Sequence, residues 1–145
     1  MISIIYANRN REVERIKASL DSLVRQTDER FEVIFVDYGS DKKLVKEYEA
    51  LFNTFKFVQF FSLEVSQLLW NKSKALNYGI QKSASEWIFI ADVDILFSPD
   101  TFEFLNNLTT TSENFYLFKL GYLDKHQSQK LYAGDEFNSL IFWGL

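Results

Sequence analysis

The stretch Phe31-Glu32-Val33-Ile34-Phe35-Val36-Asp37-Tyr38-Gly39-Ser40 predicts a buried strand that ends in a polar turn. Its first six residues form a near-continuous apolar run, which is typical of a parallel strand covered on both faces. The turn then supplies an acid, a glycine and Ser40, a candidate N-cap for the helix that follows. A strand, a turn and a helix start within one short segment indicate a layered α/β fold.

The same alternation continues towards both ends of the chain. Strands are predicted over residues 2–7, 31–36, 55–61, 87–91 and 115–123, and helices over residues 11–26, 41–52, 71–83 and 98–108. Residues 124–136 are polar and are predicted to form a loop. Strand–helix–strand repetition requires crossover connections, so we expect a mostly parallel sheet in a three-layer α/β/α arrangement.

Composition limits the class of protein. The 145 residues suit a single domain, with 47% hydrophobic and 25% charged residues and a net charge of -4. No basic surplus points to nucleic acid, and the absence of cysteine with a single histidine, His126, argues against a thiolate or histidine-rich metal site. No apolar run approaches the ~20 residues that span a bilayer. We expect a cytoplasmic location, at most peripheral to the inner face of the membrane.

Polar residues follow three of the predicted strands, where ligands bind in parallel α/β sheets. After the first strand come Asn8, Arg9 and Arg11, and arginine forks suit phosphate oxygens, although exposed arginines also begin helices. Asp37 follows the second strand, where a carboxylate accepts hydrogen bonds from a base or ribose, or simply forms a turn.

Asp92-Val93-Asp94 follows the apolar strand at residues 87–91. Acids spaced i, i+2 at a strand end can point the same way, and two hard oxygen donors suit Mg²⁺ or Mn²⁺. The alternative is a pair of loop or capping acids. On the helix that begins near Asn71, Lys74 and Asn77 lie on nearby faces and could face a phosphate, or could belong to an ordinary amphipathic helix. No glycine-rich dinucleotide or P-loop motif is present.

The order of these motifs resembles that of GT-A glycosyltransferases of the family 2 type, especially the β-1,4-galactosyltransferase and chondroitin-polymerase branch. The matching segments, within residues 2–97, are Tyr6-Ala7-Asn8-Arg9-Asn10-Arg11, Val36-Asp37-Tyr38-Gly39-Ser40, Asn71-Lys72-Ser73-Lys74-Ala75-Leu76-Asn77-Tyr78-Gly79 and Asp92-Val93-Asp94. One departure is Tyr38, where many family 2 members have a second aspartate.

The resemblance implies a Rossmann-like GT-A fold and inverting, metal-dependent transfer from a UDP-sugar to a glycan or other acceptor in polysaccharide biosynthesis. It implies that Asp94 coordinates Mn²⁺ or Mg²⁺ at the diphosphate and that Asp92 contacts the ribose or supports the metal. It also implies nucleotide contacts from Asn8, Arg9, Arg11, Asp37, Lys74 and Asn77.

Residues 1–97 are then expected to form the nucleotide-sugar-binding half and residues 98–145 a partial acceptor-side half. Phe142-Trp143-Gly144-Leu145 resembles the start of the W-G-x-E-D motif that supplies the catalytic base in this branch, so we expect a C-terminally truncated domain with weak or absent transfer. Asp135 and Glu136 are candidate substitute bases, or plain loop acids. The alternative function is a non-catalytic nucleotide-sugar-binding or protein-interaction module.

A truncated domain would leave apolar side chains near its end without cover. These residues are Phe137, Leu140, Ile141, Phe142 and Trp143. Exposed apolar patches self-associate, so we expect a homo-oligomer unless this segment folds back onto the sheet.

Overall fold

The computed structural model describes residues 1–108 and 115–132. In chain order its elements are β1 (Ile2–Asn8), α1 (Val13–Val24), β2 (Phe31–Tyr38), α2 (Lys42–Phe52), β3 (Val58–Leu63), α3 (Lys72–Lys82), β4 (Trp87–Ala91), α4 (Thr101–Asn107) and α5 (Lys125–Tyr132). The described chain divides at residues 106 and 107 into two units, of which the first contains the whole sheet.

The sheet has four parallel strands in the order β3-β2-β1-β4. The inner strands β1 and β2 are buried along nearly their whole length, because helices cover both of their faces. Their register places Asn8 opposite Asp37, and β4 runs beside β1 with Ala91 opposite Tyr6. The polar residues that follow these strands therefore meet at one edge of the sheet.

Two apolar clusters separate the layers. On one face Tyr6 and Phe35 pack with Leu20 of α1, Tyr48 of α2 and Phe102 of α4. On the other face α3 contributes Ala75 to a cluster that contains alternate residues of β1 and β2. The α/β fold with a parallel sheet and helices on both faces confirms the predicted architecture.

Helix α3 lies unusually close to the sheet at Gly79. A Cβ atom built on this glycine would stand 2.6 Å from Ile5 Cγ2 and 3.2 Å from Val36 Cγ2. The absence of a side chain at Gly79 is therefore what allows the helix to approach, and it fixes the height of α3 above the sheet edge.

Two predictions about the second unit are wrong. Residues 115–123 form no strand, and helix α5 occupies residues 125–132 of the predicted loop. The helix begins with a capping box that the apolar pattern does not show: Gln127 N donates to Asp124 Oδ1 at 2.8 Å, and Asp124 N donates to Gln127 Oε1 at 2.9 Å.

Several candidates lie outside the described residues. They are the substitute bases Asp135 and Glu136 and the apolar residues Phe137, Leu140, Ile141, Phe142 and Trp143. The division into donor and acceptor halves and the homo-oligomer stay predictions. Within the described part of the chain, no helix is both long enough and apolar enough to cross a membrane.

Candidate functional site

A cleft of about 520 Å³ lies at the edge of the sheet where β1 and β4 end. Its lining consists of the β1–α1 turn, the start of α3 and the residues after β4: Ala7, Asn8, Arg9, Asn10, Arg11, Trp70, Lys72, Asp92 and Val93. Four of the predicted site residues, Asn8, Arg9, Arg11 and Asp92, are among them, whereas the predicted metal ligand Asp94 is not.

Asp37 does not line this cleft but is bonded to Asn8, which does, and it is fully buried. Its Oδ1 accepts hydrogen bonds from Asn8 Nδ2 at 2.9 Å and from the Ser40 hydroxyl, and its Oδ2 accepts one from Ser40 N at 3.0 Å. Buried carboxylates are tolerated when such donors surround them. Asp37 thus joins the end of β1 to the start of α2 from underneath.

This network continues into the turn between β1 and α1. Asn10 adopts a φ of 55°, its N–H donates to Ser40 Oγ at 2.8 Å, and its Oδ1 accepts from Asp41 N at 2.8 Å. Asparagine tolerates this left-handed conformation better than most residues. The Tyr48 hydroxyl donates to the carbonyl of Arg11, and burial raises the pKa of Tyr48 above its usual value. The turn that carries Arg9 and Arg11 is therefore held by hydrogen bonds to the β2–α2 turn and to helix α2.

Arg9 holds one wall of the cleft, the loop over residues 64–71 between β3 and α3. Its Nη1 donates to the carbonyl of Leu68 and its Nη2 to that of Ser66, both at 2.7 Å. The sequence predicted a phosphate contact for Arg9, but in this structure its guanidinium is engaged by backbone carbonyls nearly sixty residues away along the chain.

Two further contacts fix the same loop. Gly39 has a φ of 77°, and a Cβ atom there would stand 2.7 Å from Ser66 N, so only glycine fits both the backbone conformation and the space. The buried ring of Tyr38 meets the ring of Trp70 edge to face, with 5.9 Å between centroids. Trp70, which the sequence analysis did not propose, thereby presents a partly exposed indole to the cleft.

The two acids of the Asp92-Val93-Asp94 motif each contact cations. Asp94 Oδ2 lies 3.7 Å from Arg11 Nη2 and 3.7 Å from Arg15 Nη1. Asp92 Oδ1 accepts a hydrogen bond from Lys72 Nζ.

The two carboxylates reach helices on opposite faces of the sheet, because Arg15 belongs to α1 and Lys72 to α3. Strand β4 ends at Ala91, so strand alternation does not govern Asp92 and Asp94 and does not aim them together.

Helix α3 explains why Lys72, and not the expected Lys74, reaches the cleft. Asn71 is the N-cap, and its side chain accepts a hydrogen bond from Lys74 N at 2.9 Å, so Lys72 occupies the first helical position, nearest the sheet edge. Lys74 and Asn77 are exposed on α3 and are not among the residues that line the cleft. Asn71 is a typical N-cap residue, so the sequence did contain a signal that Lys72 begins the helix.

The donor set suits a divalent cation that shares its coordination with a ligand. No group of three or more His, Cys, Asp or Glu residues gathers in the part of the chain that the structure describes. Asp92 and Asp94 supply two hard oxygen donors, which is the usual protein share when Mg²⁺ or Mn²⁺ is completed by phosphate oxygens and water. Lys72 and Arg11 beside them supply positive charge for those phosphates.

Comparison with known proteins agrees with this architecture. In solved structures, the chain is similar to S. aureus TarS 1-349, with 22% identity, a TM-score of 0.62, and coverage of 72% of this chain and 31% of that one. It is also similar to the mannosyltransferase PcManGT from Pyrobaculum calidifontis, solved with GDP-Man and Mn²⁺, with 23% identity, a TM-score of 0.60, and coverage of 70% and 30%.

A sequence relative is an uncharacterised glycosyltransferase of Haemophilus influenzae, which is 34% identical over 103 residues. The match covers 71% of this chain and 32% of the relative, so the chain spans about a third of the length of these proteins. The model for glycosyl transferase family 2 matches residues 3–114, which include the whole sheet except Ile2 at the start of β1. The chain therefore belongs to glycosyl transferase family 2.

Proposed function

We propose that this chain binds the nucleotide diphosphate of a UDP-sugar, together with a divalent cation, in the cleft at the end of β1 and β4. One observation carries the proposal: Arg11, Lys72 and Asp92 line one cleft at the sheet edge where ligands of parallel α/β folds bind, and Asp94 lies beside it, paired with Arg11. Neither cations nor acids alone would suit a metal-bound diphosphate, whereas this combination does.

The proposed position of the diphosphate is beside the two cations Arg11 and Lys72. Lys72 begins α3 and Arg11 precedes α1, so both side chains stand where the helix N-termini add favourable potential for an anion. Arg9 keeps the wall at residues 64–71 in place, and Trp70 on that wall offers an aromatic face to a base or sugar.

A bound divalent cation would supply charge neutralisation for the departing diphosphate, with Asp92 and Asp94 as its protein ligands. The galactosyltransferase-like branch, transfer with inversion and a carbohydrate acceptor belong to the proposal on the strength of the motif order. A base that deprotonates the acceptor hydroxyl is still required, and Asp135 and Glu136, which lie outside the described residues, are the candidates for it.

Ligands of the structural neighbours are consistent with the donor class. TarS 1-349 has been solved with UDP-GlcNAc, and PcManGT with GDP-Man and Mn²⁺. Both ligands are nucleoside diphosphate sugars, and they differ in the base and in the sugar. A binding experiment on this chain therefore has to compare UDP with GDP.

Calorimetric titration of UDP and GDP, with Mn²⁺ and then with EDTA, tests the proposal. We expect UDP to bind with Mn²⁺ and to lose most of its affinity in EDTA and in Asp94→Asn. The matched control is Asp21→Asn, which removes a carboxylate paired with Lys17 on the exposed side of α1. If folded wild-type protein binds neither nucleotide under any metal condition, the proposal is wrong.

The second candidate is a module that holds the nucleotide sugar without turnover. It is favoured by the composition of the described cleft, whose one lining acid, Asp92, is paired with Lys72 and whose other groups suit donor binding. Incubation with a panel of UDP-sugars separates the two: release of UDP supports the transferase, while metal-dependent binding without UDP release supports the module.

A further inference from the structure

Asp92 in the cleft and Asp94 beside it are both paired with cations of the protein itself. Lys72 holds Asp92, while Arg11 and Arg15 hold Asp94, so each carboxylate has its charge partner in the ligand-free chain. A divalent cation that approaches these oxygens meets these three positive side chains as competitors. These ion pairs therefore lower the affinity of the two acids for a metal ion when no other ligand is present.

Two of the competing cations line the same cleft in which the diphosphate is proposed to lie. Lys72 and Arg11 border the cleft, and their side chains are 46% and 43% exposed, so both can swing from a carboxylate to a nearby anion without leaving a buried charge. Arg15 differs, because it is not among the lining residues and is also paired with Glu12 at 3.2 Å.

From this we infer that Lys72 and Arg11 act as exchangeable counter-ions that make metal and diphosphate bind together. In the ligand-free chain they neutralise Asp92 and Asp94; when nucleotide arrives they transfer to its phosphates and release the acids to the cation. This inference rests on the proposed function and extends it. Each ligand alone has to break the internal ion pairs, so metal and nucleotide each bind more tightly when the other is present.

The size of the effect follows from exposure. Ion pairs between partly exposed side chains contribute little, so removal of one competitor should change the affinity for the metal by about two- to fivefold. Because thermodynamic coupling is reciprocal, the factor by which UDP strengthens Mn²⁺ binding equals the factor by which Mn²⁺ strengthens UDP binding. Loss of an exchangeable counter-ion should lower both factors equally.

Lys72→Met is the variant of choice, since methionine keeps the length and helix propensity and removes the charge. Mn²⁺ alone is titrated into the protein, and free Mn²⁺ is read by electron paramagnetic resonance, with and without UDP. We expect Lys72→Met to bind Mn²⁺ about two- to fivefold more tightly without UDP, and to bind UDP more weakly with Mn²⁺ present. High salt should shrink the first difference, because it screens the ion pairs.

Two further variants separate exchange from general charge effects. Lys82→Met removes an equal charge from the far end of α3, where Nζ lies over the rings of Phe61 and Tyr78, and should leave Mn²⁺ affinity unchanged. Arg15→Met should strengthen Mn²⁺ binding like Lys72→Met but leave the contact with UDP intact, because Arg15 does not line the cleft.

The inference is overturned if folded Lys72→Met binds Mn²⁺ no more tightly than wild type in the absence of UDP. It is also overturned if Lys72→Met tightens Mn²⁺ binding and leaves UDP affinity unchanged, since the lysine would then compete without exchanging. Failure of the proposed function looks different: wild type would bind no UDP at any Mn²⁺ concentration, whereas the comparison of Mn²⁺ affinities would still decide whether Lys72 competes for Asp92.

Discussion

Asp37→Asn distinguishes a structural role for this residue from direct nucleotide binding. The carboxylate is fully buried and accepts three hydrogen bonds, from Asn8 Nδ2, Ser40 N and Ser40 Oγ. An amide at this position has one oxygen and one NH₂ group. In either orientation the NH₂ group faces a donor, so at least one hydrogen bond is lost and a buried donor is left without an acceptor.

The magnitude follows from that count. One buried donor without an acceptor costs about 1–3 kcal/mol, and the bonds that remain lose their charge-assisted strength. We therefore expect Asp37→Asn to lower the free energy of unfolding by about 2–4 kcal/mol. Because Ser40 also holds Asn10, the turn that carries Arg9 and Arg11 should loosen as well.

Urea unfolding followed by far-ultraviolet circular dichroism measures this change as a shift of the midpoint at constant slope. The matched control is Asp41→Asn, since Asp41 is exposed, caps α2 without a side-chain hydrogen bond and should change stability by less than about 0.5 kcal/mol. A variant Asp37→Asn that is as stable as Asp41→Asn and still loses UDP affinity would refute the reasoning. Asp37 would then act on the nucleotide directly.

Three further changes test other parts of the structure. Gly79→Ala should gain about 1 kcal/mol of helix propensity but lose about 1–3 kcal/mol to the clash with Ile5, so urea unfolding should show a net loss of stability. Burial raises the pKa of Tyr6, so the neutral hydroxyl stabilises the folded state fully below about pH 10, and this stability is lost as the pH rises further. Between pH 8 and pH 11 the urea midpoint of Tyr6→Phe should therefore fall less than that of wild type. Arg9→Lys keeps the charge but not the double contact with the loop at residues 64–71, so limited proteolysis should cut this loop faster than in wild type, and equal rates would show that the fork does not hold it.

The sequence predicted the fold well where the signal is local. The apolar runs of β1, β2 and β4 and the periodicity of the helices are set by neighbours along the chain, and their alternation implies the parallel sheet. It predicted two elements poorly, because their sequence patterns are weak. Strand β3 begins at Val58, three residues later than expected. Helix α5 was missed because it depends on the Asp124–Gln127 capping box and not on an apolar face.

The candidate site divides in the same way. That Asn8, Arg9, Arg11 and Asp92 would share one edge followed from strand direction alone. The contacts that each side chain makes at this edge did not follow from strand direction. Asp37 is buried and bonded to Asn8 on the neighbouring strand and to Ser40, and Lys74 does not line the cleft.

By itself, the sequence determined the order of elements, the edge at which polar residues gather and the presence of paired acids, because these depend on short-range propensity and chain direction. Only the tertiary structure decided that Arg9 holds a loop, that Lys72 reaches Asp92 and that Asp94 faces α1. Those pairs join residues far apart in the chain. Their geometry is set by strand register and by how closely α3 packs on Ile5, quantities that no local pattern encodes.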